Sequence, residues 1–263
     1  MAKIGNRGVM TSGSGVKKVL VVTGGSRGIG AAIARLAARD GYAVCLSYLD
    51  NRAAADEVVA SIAAQGGVAI AVKADVAIEQ DVVRLFEAVD ASLGRVTALV
   101  NNAGILEKQS GVEGMDAARI GRIFAANVTG SFICAREAIR RMSTKHGGAG
   151  GAIVNLSSRA SRLGSPNEYV DYAASKGAID TFTVGLAKEL AAEGIRVNAV
   201  SPGIIYTDIH ASGGDPGRVD RMKEVIPMKR GGTAEEVARA VLWLLSDAAS
   251  YTTGASIDVA GGH

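Results

Sequence analysis

Short apolar runs alternate with longer alanine-rich segments along most of the chain. Seven runs are rich in β-branched and apolar residues, at 19–23, 43–48, 68–73, 98–102, 152–157, 195–200 and 256–259. The segments between them, such as 29–39, 53–65, 79–93 and 170–193, have the length and composition of helices. Strands that are apolar on both faces are typical of a parallel sheet covered by helices on each side. The pattern therefore predicts a doubly wound α/β domain with a parallel seven-stranded sheet.

Glycines mark the ends of several predicted helices. Gly41, Gly66 and Gly194 each stand where a helix must end before the next strand, and a left-handed glycine cap is common there. The alternation breaks between residues 206 and 230, where SGGDPG and PMKRGG surround one short helical piece. Because long irregular loops in a compact domain are often lids, we expect residues 206–230 to form a substrate lid.

Length and composition fit a single domain. The chain has 263 residues, of which 48% are hydrophobic and 21% charged, so enough apolar surface is available for a large core. Residues 1–16 are rich in glycine and serine and lack the apolar core of a secretory signal. The sequence predicts a flexible segment at 1–16 followed by one domain at 17–263.

Charge and residue spacing exclude several classes of partner. Lys and Arg number 29 against 26 Asp and Glu, and the charges are dispersed, so a nucleic-acid partner is not expected. No run of about 18 apolar residues is present to span a membrane, and the three histidines lack metal-ligand spacing. Cys45 and Cys134 lie in apolar stretches, which favours buried free thiols and a reducing, cytoplasmic location over a disulfide or a ligand pair.

A glycine-rich loop follows the first predicted strand and opens a helix. It reads TGGSRGIG over residues 23–30. Glycines at 24, 28 and 30 allow a sharp turn, close approach to a pyrophosphate and tight helix packing, and the helix N-terminus offers free N–H groups to an anion. Because the loop lies at the first strand-to-helix turn of a βαβ unit, it predicts a Rossmann-type dinucleotide site rather than a simple turn.

A tyrosine and a lysine stand four residues apart in a helical segment. Tyr172 and Lys176 of YAASK therefore share one helix face, although this spacing also arises by chance on solvated surfaces. A free tyrosine titrates near pH ~10, about three units too high for efficient proton transfer at neutrality, so a neighbouring ammonium and an oxidised nicotinamide would lower its pKa. Ser157 and Ser158 close the fifth predicted strand, where a serine can donate a hydrogen bond to a substrate oxygen.

These motifs together resemble the short-chain dehydrogenase/reductase family. TGxxxGIG at 23–30, NNAG at 101–104 and YxxxK at 172–176 carry the resemblance, which runs from about Lys17 to Gly262. It implies that the cofactor diphosphate and adenosine ribose are held by Gly24, Ser26, Arg27, Gly28 and Ile29. It also implies a homotetramer in which the helix with the YxxxK motif packs in a subunit interface, where small residues would allow close approach, namely Ala178, Gly185 and Ala187.

The family's catalytic set maps by motif onto four residues, Ser158, Tyr172, Lys176 and Asn127. The resemblance implies that Tyr172 exchanges the proton while Ser158 positions and polarises the substrate oxygen. Lys176 would tune the tyrosine and bond the nicotinamide ribose, and Asn127 would hold a water that links the lysine to bulk solvent.

Two positions near this set have neighbours of the same residue type. Ser157 stays open as an alternative to Ser158, because the interval from serine to tyrosine is one residue longer than in many relatives. Tyr169 is rejected as the reacting tyrosine, because Ala173 and not a lysine follows it four residues later.

The residues after the second predicted strand bear on the choice of cofactor. An NAD site usually has an acidic residue about 20 residues beyond the glycine loop, but Tyr48 fills the family's usual Asp position here. Arg27 and Arg52, with Asn51 between strand and helix, can supply the charge and donors that a 2′-phosphate needs. NADP(H) is therefore favoured over NAD(H). The alternative is that Arg52 is only solvated and that Asp50 binds a ribose hydroxyl.

Further cofactor contacts are implied at the carboxyl ends of other strands, where ligands bind in open α/β sheets. They are Asp75 and Val76 at the adenine ring, Asn102, Ala103 and Gly104 after the fourth strand, and Pro202, Gly203, Ile205 and Thr207 at the nicotinamide. Local alternatives are a helix N-cap at Asp75 and simple turns at the NNAG and Pro-Gly stretches.

The sequence thus predicts an NADP(H)-dependent oxidoreductase that interconverts a carbonyl and a secondary alcohol, or a sugar hemiacetal, by hydride transfer. The substrate stays open between a 3-oxoacyl thioester, glucose and a xenobiotic ketone. Arg140, Arg141 and Lys145 can dock an acyl carrier protein, although a solvated helix face is favoured. One alternative function is an NADP-sensing regulatory protein on the same fold, which the presence of Ser158, Tyr172 and Lys176 disfavours. Another is a sugar-nucleotide epimerase, which the chain length and the glycine spacing disfavour.

Overall fold

The computed structural model describes residues 18–263, without the side chain of His210. Within these residues the chain forms seven strands and ten α-helices. The strands are β1 Val19–Val22, β2 Ala43–Tyr48, β3 Ala69–Lys73, β4 Ala98–Asn101, β5 Gly151–Leu156, β6 Ile195–Pro202 and β7 Ser256–Val259. The helices are α1 Gly28–Arg39, α2 Arg52–Ala63, α3 Glu79–Ser92, α4 Ala117–Phe124, α5 Gly130–Met142, α6 Ala160–Leu163, α7 Val170–Leu190, α8 Ile209–Ser212, α9 Arg218–Met222 and α10 Ala234–Leu245. The predicted flexible segment 1–16 lies outside the described residues.

The strands form one sheet in the order β3-β2-β1-β4-β5-β6-β7, with every neighbouring pair parallel. From β1 the chain winds outward to β3, and from β4 it winds outward in the opposite direction to β7. This confirms the doubly wound, parallel seven-stranded sheet that the sequence predicts. In such sheets ligands bind where the winding reverses, outside the carboxyl ends of β1 and β4.

Successive residues of a strand face two separate cores, one on each side of the sheet. Leu20 and Val22 of β1 pack with the side that carries α1, α2 and α10, whereas Val19 and Val21 pack with the side that carries α3, α5 and α7. All four side chains are buried. Because both faces are covered, the strands are apolar at nearly every position, which is the pattern seen along the chain.

The predicted glycine caps are confirmed. Gly41, Gly66 and Gly194 have φ values of 85°, 78° and 76°, in the left-handed region that ends a helix. Helix α7 ends at Leu190 and is extended by a single 3-10 turn at Ala191–Glu193.

The region 206–230 contains two short helices, α8 and α9, where the sequence indicates one. Gly213 and Gly214 interrupt the helical path, because Gly214 has φ 85° and cannot continue a right-handed helix. A 3-10 turn at Lys223–Val225 then extends α9. The irregular backbone otherwise matches the expectation for this segment.

Cys45 and Cys134 are buried free thiols, as the sequence indicates. Burial raises the pKa of each thiol to about 12, so both are protonated and unreactive at neutral pH. Within residues 18–263 no helix is long and apolar enough to cross a membrane. The same residues contain no group of three or more His, Cys, Asp or Glu side chains placed to bind a metal ion.

Candidate active site

The glycine loop turns sharply from β1 into α1 and leaves the start of the helix without a side-chain cap. Gly24 and Gly28 have φ values of 63° and 54°, where a side chain is strained. A Cβ atom on Gly30 would lie 2.4 Å from the Gly24 carbonyl oxygen. Arg27 holds the N-cap position, and its side chain makes no cap hydrogen bond. The free N–H groups of this 12-residue helix are therefore available to a phosphate.

Asn102 braces this loop against the end of β4. Its amide group donates to the carbonyl oxygens of Thr23 and Gly24 at 2.8 and 2.9 Å. The Thr23 hydroxyl accepts the backbone N–H groups of Asn102 and Ala103, both at 3.0 Å. These four bonds hold the crevice between β1 and β4 at a fixed width, so the NNAG stretch is more than a turn.

A cleft of about 390 Å³ opens outside the carboxyl ends of β1, β2 and β4. Most predicted cofactor residues line it, namely Gly24, Ser26, Arg27, Gly28, Ile29, Tyr48, Asn51, Asp75, Val76, Asn102, Ala103, Gly104 and Thr207. The structure does not bring Arg52 to this cleft. The Arg52 side chain is 78% exposed and bonds Asp56 at 3.3 Å, because the first turn of α2 directs it along its own helix. The cap of α2 is Asn51, whose side chain accepts the Ala54 N–H.

The structure clarifies the roles of two polar residues of the cleft. The sequence analysis does not predict a role for Ser47, and for Asp75 it leaves a helix N-cap as an alternative. Ser47 accepts the backbone N–H of Gly24 on its hydroxyl at 3.1 Å and that of Gly25 on its carbonyl oxygen at 2.9 Å. A lone serine in an apolar strand is the only sequence signal for this role. Asp75 is not a helix cap, because Ile78 takes the N-cap position of α3.

Helix α7 brings Tyr172 and Lys176 to the carboxyl end of β5. The Lys176 ammonium lies 5.6 Å from the centre of the Tyr172 ring, as the four-residue spacing indicates. The same ammonium donates to the carbonyl oxygen of Leu156 at 2.7 Å. Ser158 lies two residues beyond the strand end, with its hydroxyl beside the Tyr172 phenol. A hydroxyl, a phenol and an ammonium thus meet at one end of the strand.

The adjacent serines have different surroundings. Ser157 is buried, and its hydroxyl contacts the backbone carbonyl oxygen of Lys176 at 3.4 Å. Ser158 instead faces the phenol, and its hydroxyl also accepts the N–H of Ala160 at 3.1 Å. The structure therefore favours Ser158 as the serine that reaches a substrate.

Tyr169 has a structural contact of its own. Its ring is buried, and its hydroxyl donates to the carbonyl oxygen of Gly213 at 3.1 Å. The nearest cation to its ring is the Arg218 guanidinium, 5.4 Å from the ring centre. Tyr169 thus fastens the segment between α8 and α9, which agrees with its rejection as the reacting tyrosine.

Asn127 lies in a π-helical turn at Ala125–Thr129, between α4 and α5. Its amide oxygen accepts the Ile105 N–H at 2.7 Å, and its amide nitrogen donates to the Ile105 carbonyl and the Ser175 hydroxyl, both at 3.1 Å. Single π turns are frequent at functional sites because they re-aim one side chain. Asn127 ties the segment after β4 to helix α7 beside Lys176.

A second cavity, of about 200 Å³, adjoins the cleft and lies over these groups. Ser158, Tyr172 and Lys176 line it together with the predicted Pro202, Gly203 and Ile205. The rest of the wall combines apolar side chains, including Leu106, Leu163, Ile204, Ile209 and Met222, with polar and charged ones, among them Arg159, Ser165, Arg218 and His263. Ile209 and Met222 belong to the irregular segment 206–230. This segment therefore forms part of the cavity wall, which is the location expected of the predicted lid.

Burial opposes ionisation of both reacting groups. It lowers the pKa of Lys176 to about 8, against a smaller rise caused by Asp180. Burial also raises the pKa of Tyr172, and the hydrogen bond with Ser158 lowers it by less. The expectation that the ammonium lowers the pKa of the phenol is therefore not met by the protein's own groups. The phenol is kept protonated, which is the form that can donate a proton.

Sequence comparison agrees with this geometry. A family model described as enoyl-(acyl carrier protein) reductase matches residues 24–263. The chain belongs to the short-chain dehydrogenase/reductase family and is an NAD(P)-dependent oxidoreductase.

Individual relatives cover nearly the whole chain. The uncharacterized oxidoreductase YgfF of Escherichia coli is 61% identical over 93% of this chain and 99% of that protein. A 3-oxoacyl-(acyl-carrier-protein) reductase of Synechocystis is 39% identical over 93% of this chain and 96% of its own length. The crystal structure of a dehydrogenase/reductase from Sinorhizobium meliloti matches with a TM-score of 0.86 and 34% identity, covering 93% of this chain and 94% of that one.

The buried ammonium predicts a pH-dependent stability effect for Lys176→Met. Because the pKa of Lys176 falls from 10.5 to about 8 on folding, the unfolded chain binds more protons than the folded one between these pH values. The wild type should therefore gain unfolding free energy relative to the variant as pH rises across this range, by about 3 kcal/mol in total. Chemical denaturation over a pH series measures the difference. A difference that stays constant would contradict the shifted pKa, and Lys188→Met, at an exposed position of the same helix, is the control.

Proposed function

We propose that the protein is an NADP(H)-dependent reductase of small carbonyl compounds, acting in reverse as a dehydrogenase of secondary alcohols. The observation that carries the proposal is that the Ser158 hydroxyl and the Tyr172 phenol lie together beside Lys176, where the second cavity joins the cofactor cleft. A regulatory protein that only senses the cofactor has no need of this pair beside a buried lysine. The residues around the cleft fit a dinucleotide, because the loop has no room for a Cβ atom at Gly25 and Gly30 and α1 is uncapped.

In the proposed mechanism a bound NADPH supplies the hydride. Tyr172 donates its proton to the carbonyl oxygen, and Ser158 hydrogen-bonds the same oxygen and polarises the carbonyl. Lys176, fixed by the Leu156 carbonyl, is placed to bond the nicotinamide ribose. Asn127 holds the segment beside the lysine, along which a water returns the proton from solvent. Most of the barrier reduction comes from orientation and from donors that are already in place.

The preference for NADP(H) rests on Arg27. Its side chain lies at the wall of the cleft and has no ion-pair partner within the described part of the chain. Arg52 contributes less than the sequence indicates, because its guanidinium is directed to Asp56. Asp50 also lines the cleft, which keeps the NAD(H) alternative open.

NADPH should bind at least ten times more tightly than NADH, since loss of the 2′-phosphate leaves Arg27 without its anion at a cost of about 1.4 kcal/mol or more. Arg27→Ala should remove most of this preference by weakening NADPH alone. Arg52→Ala is the matched control and should change either affinity little. Calorimetric titration with both cofactors decides the matter, and equal affinities for the wild type would indicate that Asp50 binds the ribose.

Among the substrates left open, the second cavity favours an apolar carbonyl compound over glucose. No Asp or Glu is found among its described lining residues, and its one side-chain amide, that of Asn102, already donates to the glycine loop. A sugar hydroxyl needs an acceptor for its proton, and the polar residues of this cavity are mostly cations and hydroxyls, such as Arg159, Arg218 and Ser165. A ketone or the 3-oxoacyl part of a thioester therefore fits better.

The wild type should reduce the keto ester ethyl acetoacetate and leave glucose unoxidised. Tyr172→Phe should retain NADPH binding and lose nearly all reduction of ethyl acetoacetate. The substitution removes the proton donor and keeps the ring, and such a donor contributes about 10²–10⁴-fold. Loss of NADPH absorbance measures turnover. Tyr169→Phe is the control, because its hydroxyl bonds the Gly213 carbonyl and no lysine follows it four residues later, so its kcat should stay near that of the wild type. The opposite order of the two variants would move the mechanism to Tyr169.

The basic residues of α5 do not favour a carrier-protein dock. Arg140 pairs with Glu137 at 2.8 Å, and Arg141 pairs with Asp90 at 2.7 Å and with Glu137. These guanidinium groups already have carboxylate partners, as expected of a solvated helix face. The two buried thiols fit the cytoplasmic location that we propose.

The homotetramer is supported by an apolar surface on α5 and α7. Phe132 is 49% exposed and stacks on Phe182 with ring centres 3.8 Å apart, and Val184 is 43% exposed. Gly185 lies on this exposed side of α7, with open space where a Cβ atom would be. Ala187, in contrast, packs in the core of its own chain, because it stands on the opposite face of the helix.

Light scattering at micromolar concentration should give the wild type four times the chain mass. Phe132→Glu should give a smaller assembly, because a charge on the apolar face cannot be buried against a partner helix. Val68→Glu, at an exposed apolar position next to β3, is the control and should leave the mass unchanged. A monomeric wild type would contradict the proposed assembly.

A further inference from the structure

A buried ion pair that the mechanism above does not use holds the first turn of α7. Asp171 directly precedes Tyr172, and its side chain is only 2% exposed. Arg119 of α4 binds this carboxylate through two N–H groups, Nε to Oδ2 at 2.7 Å and Nη2 to Oδ1 at 3.4 Å. A two-point contact of this kind fixes the orientation of the carboxylate as well as its distance.

The carboxylate of Asp171 also binds the backbone of the reacting tyrosine. Its Oδ1 atom accepts the N–H of Tyr172 at 2.9 Å. This N–H lies in the first turn of α7, where no helical carbonyl is available four residues earlier. Two successive contacts therefore lead from the Arg119 guanidinium to the backbone of Tyr172.

The same guanidinium reaches the wall of the substrate cavity. Its Nη1 atom donates to the carbonyl oxygen of Lys108 at 2.7 Å, in the segment that carries the cavity residue Leu106. The backbone of Arg119 is itself fixed, because the N-cap residue Asp116 accepts its N–H at 2.7 Å. One side chain thus joins α4, the first turn of α7 and the cavity wall.

A second ion pair of α4, between Arg122 and Glu107, is exposed and serves as a comparison for the buried pair of Arg119 and Asp171. Arg122 bonds Glu107 at 2.8 Å, but its side chain is 57% exposed and this partner lies outside α7. Exposed pairs of this type are worth little. Buried pairs often add no net stability over apolar replacements, so the value of the pair between Arg119 and Asp171 lies in the geometry that it imposes.

We propose that Arg119 is a positioning residue for the reaction. Through Asp171 it sets the orientation of Tyr172, and through the Lys108 carbonyl it couples this tyrosine to the cavity wall. The effect on catalysis rests on the proposed function, whereas the coupling between the two segments does not.

Hydrogen–deuterium exchange tests the coupling without any substrate. In Arg119→Met, peptides that cover 104–111 and 165–176 should both exchange faster, by roughly fivefold or more, while core strands stay protected. Arg122→Met is the matched control on the same helix and should leave the peptide 165–176 unchanged, because its partner Glu107 belongs to the other peptide. If Arg119→Met exchanges like Arg122→Met in the peptide 165–176, the proposal is overturned, whatever the enzyme catalyses.

Kinetics with NADPH and ethyl acetoacetate test the consequence for the reaction. Arg119→Met and Asp171→Asn should each lower kcat on the order of 10–100-fold with NADPH affinity nearly unchanged. The pKa that limits kcat should rise, because a displaced Tyr172 loses the hydrogen bond of Ser158. Arg119→Lys, which keeps the charge without the two-point contact, should recover kcat only in part.

Two outcomes distinguish the positioning role of Arg119 from a role in folding and from the proposed function. A fall in kcat matched by an equal fall in NADPH-binding sites per chain would show that Arg119 only keeps the chain folded, which overturns the positioning role. Faster exchange in both peptides, together with a wild type that reduces no carbonyl probe, would support the coupling and refute the proposed function.

Discussion

The position of α7 against β5 is the constraint on which the site depends. Asn155 of β5 donates to the hydroxyl of Thr183 on α7 at 2.9 Å, and the Lys176 ammonium bonds the carbonyl of Leu156 at 2.7 Å. A shift of α7 by one residue would break both bonds and rotate the YxxxK face by about 100° away from the cavity. The reacting groups are therefore aligned by the same contacts that attach the helix to the sheet.

This attachment places a charge where water is scarce. The ammonium of Lys176 is buried, which disfavours its charged form, and the Asp180 carboxylate compensates in part. Asn155 also accepts a hydrogen bond from the Asn101 amide at 2.9 Å, so a chain of buried amides runs beneath the helix. A polar network of this kind gives up some stability relative to an apolar core, but it selects one register for α7.

The proposed cofactor cleft and the proposed substrate cavity are built from parts of the fold that differ in regularity. The cofactor cleft is built on strand ends and on the bonds between Asn102 and Thr23, so its shape is set by the sheet. The substrate cavity takes part of its wall from the segment 206–230, which is fastened by Tyr169 and by Arg218 pairing with Glu168 at 2.6 Å. Variation in this segment can change the substrate without disturbing the glycine loop or the reacting groups.

The sequence by itself determined the features that depend on local spacing. The alternation of strands and helices follows from short apolar runs between longer alanine-rich segments, and the phosphate loop at residues 23–30 follows from its glycine spacing. The shared face of Tyr172 and Lys176 follows from their four-residue separation. The tertiary structure decided what depends on distant segments meeting. It placed the Ser158 hydroxyl beside the Tyr172 phenol and directed Arg52 away from the cleft. It also joined Arg119 to Asp171, 52 residues apart. Such contacts, and the burial that shifts the pKa of a lysine, arise only when the sheet brings separate elements together, so no local pattern can encode them.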